Sequence, residues 1–280
     1  MIRLLIDSAS DFTIEEAHAK KYDFVSLNVH FEDKSYRDGQ DIAYDEFYNM
    51  LVNSESFPKT SQPSPETYLE IFNDAKKNDD EVIVFALSSG ISGTYQSANI
   101  AKDLAEYDKI YVIDTLTAVA GIRILVDHAA QLIEEGLSAA EIVEKVEALK
   151  SRITIYISPD TLEYLFKGGR LSRAAATIGE LAKLKPIITV SQEDGTLKVT
   201  KKCIGRTKTI NTIITTIMDA KPDTNYPVYP IYTHNTENCE KLEAKLTKEG
   251  LSFDERKEIG ATVGAHVGPG TFGIVFVKGE

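Results

Sequence analysis

The sequence predicts an α/β protein of two domains. Residues 1–150 form a parallel sheet with helices on both faces, and residues 151–280 form a smaller α/β domain with a mixed sheet. Three observations predict it. Short branched apolar runs alternate with amphipathic stretches through the first half, the pattern of parallel strands joined by crossover helices. The second half instead sets two strand-like runs either side of Gln192-Glu193-Asp194-Gly195, and Asp-Gly suits a tight hairpin turn. Finally, 280 residues suit two compact domains better than one.

The elements follow in order. In the first half, strands are expected at 2–7, 24–31, 81–87 and 109–114, where short β-branched runs are flanked by turn residues. Thr13 to Glu16 has the capping-box pattern of a helix start, and Ser64-Pro65-Glu66 sets a capping hydroxyl before an N1 proline. A helix is expected to continue over 95–104. Ala118, Ile122, Leu125, Ala129 and Leu132 mark one face of a long helix by their 3–4 spacing. The helix opening at Ser138 and closing near Lys150 ends the first domain. Beyond it, strands are expected at 152–158, 186–192, 196–203, 227–233, 252–259 and 272–277. Asp160 to Glu163 reads as another capping box, its helix ended by Gly168-Gly169.

Composition narrows the function. With 42% hydrophobic and 26% charged residues, the chain belongs with folded globular proteins. A net charge of −12 gives no footprint for nucleic acid and little attraction to anionic lipid, so at most a transient membrane contact is expected. Cys203 and Cys239 have no metal-ligand spacing and read as reduced thiols. The start of the chain lacks the apolar core of a secretory signal, and the expected location is the cytoplasm. No metal and no cofactor are expected.

Four segments could carry chemistry. "ALSSGISGTYQSA" (86–98) follows a strand and opens a helix, where ligands of parallel sheets bind. A nucleophile elbow would need a glycine where Thr94 stands, and a Walker loop would need a lysine after the glycines. What remains is a helix N-terminus with several hydroxyls, suited to an anion, or a capping serine in a plain turn. "KTSQPSPETY" (59–68) is a second hydroxyl-rich helix start, and Thr60 and Ser61 precede the cap. In "GAHVGPG" (264–270), glycines surround His266; alone it makes neither a metal centre nor a triad. In 157–172, Arg170 follows two glycines, either as a solvated residue or as the partner of a carboxylate.

These segments together resemble the DegV family of bacterial fatty acid-binding proteins. "IDSASD" (6–11), "SYRDGQDI" (35–42), "KTSQPS" (59–64), "LSSGISGTYQSA" (87–98), "VIDT" (112–115), "SPDTLEYLFKGGRLS" (158–172) and "HVGPG" (266–270) stand in that family's order and spacing. Ala265, where the family often has threonine, and Phe166 are small departures. The resemblance implies a Rossmann-like first domain, a mixed second sheet, and one long-chain fatty acid between the two. It also implies a carrier without catalysis, which presents the acid to a separate fatty acid kinase; the acyl phosphate then feeds phospholipid synthesis. Carried over by motif, Thr60, Ser61, Ser92 and His266 bind the carboxylate, Ser89, Gly93 and Arg170 support them, and Arg206 is a candidate kinase contact. Hydroxyls and helix N–H groups are expected to hold the head group without a buried Lys or Arg. Ile91, Val119 and Ile122 are candidates for the tail slot, though each also reads as core. The alternatives are a phosphate or nucleotide binder using the 89–94 loop, and a serine hydrolase using Ser92 and His266.

Overall fold

The computed structural model describes residues 1–171 and 184–279. Ser172, the last residue of the 158–172 motif, lies outside them. The first sheet has the order β2-β1-β6-β7 and is parallel throughout, formed by β1 (Ile2–Asp7), β2 (Asp23–Val25), β6 (Glu81–Ala86) and β7 (Ile110–Asp114). Alternation along these strands gives each face its own helices. Leu5, Val82 and Val84 pack with α3 (Pro65–Asn78) and α4 (Thr94–Ala105). Leu4, Ile6, Ile83 and Phe85 face the other way, toward α5 (Ala120–Glu134) and α6 (Ala139–Lys150).

The second sheet is mixed, with the order β10-β9-β8-β13-β11-β12. Its strands are β8 (Ile153–Ser158), β9 (Leu184–Val190), β10 (Leu197–Ile204), β11 (Tyr229–Tyr232), β12 (Lys257–Glu258) and β13 (Phe272–Val277). One face, with Ile187, Phe272, Ile274 and Phe276, is covered by α8 (Arg206–Ala220) and α9 (Glu237–Lys248). The other, with Ile153, Ile155, Ile157, Ile188 and Val190, shares a continuous core with the α5 side of the first sheet. The two sheets thus share one apolar core.

Several expected elements form as read. The capping box at Thr13/Glu16 is made, a helix opens at Ser138, where a capping box with Glu141 also forms, and Gly169 ends its helix at φ +72°. Others differ. The single strand expected at 24–31 is two, β2 and β3 (Asn28–Phe31), because the Leu27 N–H is taken by Ser8 Oγ and the chain changes sheets there. With β4 (Lys34–Arg37) and β5 (Lys59–Ser61), β3 builds an unforeseen antiparallel sheet of order β4-β3-β5. The strand expected at 252–259 shrinks to the two residues of β12; consecutive charges at Asp254, Glu255 and Arg256 leave no apolar face to bury. Asp160 does not cap: α7 (Glu163–Lys167) starts after Leu162, the Glu163 N–H goes to Thr161 Oγ1, and Asp160 pairs with Lys185 and Arg206. Ser64 occupies the N-cap of α3 without making the capping bond. The 264–270 segment is partly helical. It begins inside α10 (Ala261–Val267), and Gly268 and Gly270, at φ +76° and +73°, end the helix.

Candidate functional site

The first sheet reverses its strand order beside β1, whose neighbours are β2 on one edge and β6 on the other. Ligands of open parallel sheets sit outside the carboxyl ends of strands at such a point. There Asp7, at the end of β1, joins two loops: its carboxylate accepts the Ala9 N–H at 3.0 Å and the Leu87 N–H at 2.7 Å. Full burial pushes its carboxyl up to about 7.

Beside these loops lies a cavity walled from both halves of the chain. Leu27, Leu87, Ile91 and Val119 come from the first half, and Ile155, Val190 and Val267 from the second. The cavity volume is about 110 Å³, several times the ~10–15 Å³ that one water needs. Of the residues expected along the tail slot, Ile91 and Val119 line it, whereas Ile122 is sealed in the core. Val119 adopts φ +50°, a conformation strained for a β-branched residue, and its N–H donates to the Ala9 carbonyl at 2.8 Å.

Polar groups gather in one part of this wall: Thr60, Ser61, Gln62, Ser92, Arg170 and His266. Thr60 comes on β5, paired to Val29 of β3. His266 comes on the last turn of α10, and its Nε2 lies 2.8 Å from Thr60 Oγ1. Ser61 is exposed and pairs instead with His30, whose Nε2 lies 3.0 Å from Ser61 Oγ. Ser92 lines the cavity and also braces the start of α4: its Oγ accepts the Thr94 N–H at 3.3 Å and lies 2.8 Å from Thr94 Oγ1. Burial and the nearby Arg170 charge pull the His266 imidazole down to about 4, so it is neutral at pH 7. Its Nδ1 is buried against Gly168, where an added Cβ would lie 2.2 Å away.

Arg170 is half-buried, and among the described residues it makes no ion pair with a protein carboxylate. Its Nε donates to the Ile91 carbonyl at 3.1 Å and its Nη1 to the Gly168 carbonyl at 2.7 Å. It therefore ties the end of α7 to the 88–94 loop, and it sets a half-buried cation in the wall. That corrects the expectation of a head-group region without a buried Arg. Gly93 lets the Gln62 side chain close in, with an added Cβ 2.1 Å from Gln62 Oε1. Ser89 is outside the wall, its N–H donated to Asp114 Oδ1 at 3.1 Å. Arg206 is away from the cavity, tied to Asp160, with its side chain 21% exposed.

Gln62 and Thr262 also line the cavity and were not read as site residues. Gln62 lies inside the "KTSQPS" motif, so position could have marked it; nothing in the sequence marks Thr262. Among the described residues, no cluster of three or more His, Cys, Asp or Glu could hold a metal ion, and no helix is long and apolar enough to cross a membrane. Cys203 and Cys239 are buried free thiols.

A family profile described as an uncharacterised protein of the DegV family matches residues 1–279. The chain belongs to the DegV family. A DegV domain-containing protein of Caldanaerobacter subterraneus subsp. tengcongensis is 39% identical over 98% of both chains. Among solved structures, a DegV protein from Thermus thermophilus described by its fatty acid binding superposes with a TM-score of 0.88 at 29% identity, over 99% of each chain. A stearic acid-binding protein of Eubacterium ventriosum matches with a TM-score of 0.88 at 27% identity, over 99% of this chain and 98% of its own. The parallel first sheet and mixed second sheet are thus a DegV fold.

Proposed function

We propose that this protein binds one long-chain fatty acid in the cavity between its two sheets and acts as a carrier without catalysis of its own. The observation that carries this reading is the wall itself. Apolar side chains from the loops that follow the first sheet's strands and from the second sheet surround the space, and Thr60, Ser92, Arg170 and His266 gather at one part of it. An acyl chain gains about 0.8 kcal/mol per buried CH₂, so a sixteen-carbon tail offers about 10 kcal/mol before ordering costs. The hydroxyls and the half-buried guanidinium suit a carboxylate head. DegV relatives described as fatty acid-binding support the ligand class.

The head group is then presented to a separate fatty acid kinase in the cytoplasm, and the acyl phosphate serves phospholipid synthesis. This part rests on the motif resemblance. The exposed Ser61 at the polar part of the wall fits a carboxylate that another protein must reach. A hydrolase is disfavoured by the site: Ser92 Oγ is engaged with Thr94, and among the described residues His266 Nδ1 has no carboxylate to orient it. Thermal melts with oleate, palmitate and a panel of nucleotides test the ligand class. The expected result is a raised midpoint with fatty acid alone; a rise with nucleotides alone would replace this reading.

A further inference from the structure

Helix α10 lies late in the chain, between β12 and β13, yet its N-terminus is held by carboxylates from residues 1–40. Asp38 is fully buried and accepts two consecutive backbone N–H groups, from Ala261 and Thr262, each at 3.1 Å. Asp11, 5% exposed, accepts the preceding Gly260 N–H at 3.0 Å. Tyr48 Oη donates to the Ile259 carbonyl at 2.7 Å. Four successive residues, 259–262, are therefore tied to the first half of the chain.

Close approach makes the ties specific. An added Cβ at Gly260 would lie 2.9 Å from Tyr44 Oη, and one at Gly264 2.2 Å from Tyr48 Oη. Asp38 is itself fixed, since its N–H donates to the Leu27 carbonyl at 2.9 Å and the Leu27 N–H donates to Ser8 Oγ at 3.1 Å. His266 stands one turn beyond Thr262, so it moves with the helix start. Its 2.8 Å contact with Thr60 tolerates little displacement. Burying two carboxylates is costly, and an apolar residue would serve packing alone at less cost.

We propose that Asp38, assisted by Asp11, is a positioning residue for ligand binding: it fixes α10 and thereby holds the His266 imidazole against Thr60 in the cavity wall. The proposal rests on the fatty acid reading of that cavity. A double-mutant cycle on the full chain tests it, with oleate as the probe and far-UV circular dichroism to confirm folding. Asp38→Asn should weaken oleate binding about tenfold, within the range for residues coupled in one network. In a His266→Ala background the same change should have little further effect. In ¹⁵N-histidine spectra, Asp38→Asn should also shift the His266 imidazole resonances without ligand. Equal losses in both backgrounds, or unchanged resonances, would overturn the proposal. If Asp38→Asn does not fold, the cycle is run with Asp11→Gly, which gives up the Gly260 N–H contact and suits the φ of +56° at that position, and the same outcomes decide. A wild type that binds no oleate defeats the fatty acid reading alone, and the imidazole resonances then decide the positioning.

Discussion

His266 is neutral in the folded protein because burial and the Arg170 charge oppose its protonation, holding it near 4 against an ordinary value of 6.5. In the unfolded chain it takes up a proton as pH drops through 6.5, while the folded form does not. The stability it contributes is therefore fully present above pH 6.5 and is lost as pH falls toward 4. Asp7, pushed up to about 7, works in the opposite sense, as do Asp11 and Asp38, whose carboxyls burial raises, so the wild-type profile alone mixes these effects. The difference in melting midpoint between wild type and His266→Asn isolates the histidine; it should shrink on acidification from pH 7 to pH 4. Ser92 supplies a second expectation. Replacing it with alanine should cost about 1–3 kcal/mol of oleate binding if its oxygen contacts an ionised head group. Titration calorimetry checks this, and unchanged affinity would remove Ser92 from the site. Thr60, Ser92 and His266 were legible as polar residues in unusual local sequence. The Ser61–His30 pair was not, because strand pairing rather than sequence proximity brings the two together.

At the scale of elements, strong local signals survived and weak ones yielded to tertiary context. The capping box at Thr13 and the helix start at Ser138 formed as read, each satisfying its own helix end. Asp160 carries the same pattern, but Lys185 and Arg206 hold its carboxylate instead. The β4-β3-β5 sheet was hidden, since Ser26 and Leu27 give no glycine or proline to mark the change of sheet. The glycines around His266 have different uses. Gly264 admits Tyr48 against a helix, and only Gly268 and Gly270 need positive φ. Gly264→Ala should accordingly force α10 and Tyr48 apart, costing about 1–3 kcal/mol of stability. Urea unfolding measures that cost, and a neutral effect would mean the contact is slack.

For the whole molecule, one apolar core runs from the α5 side of the first sheet to the inner face of the second. Alternating strand patterns made both sheets legible, but no local pattern could show how the sheets face each other or that a cavity opens between them. Arg170 illustrates the gap. Its site in the wall depends on the Ile91 carbonyl, 79 residues away in the chain. Because the core is shared, calorimetry should show one cooperative transition for the whole chain. Saturating oleate should raise it, by about 2.7 kcal/mol of added stability at a hundredfold excess over Kd. Two resolved transitions, with only one responding to oleate, would argue against a site built by both halves. Denaturing extraction of the purified protein followed by mass spectrometry tests fatty acid binding most directly. One long-chain fatty acid per chain is expected, or stoichiometric uptake of added oleate or palmitate after delipidation. A folded protein that neither carries nor takes up such an acid would contradict it.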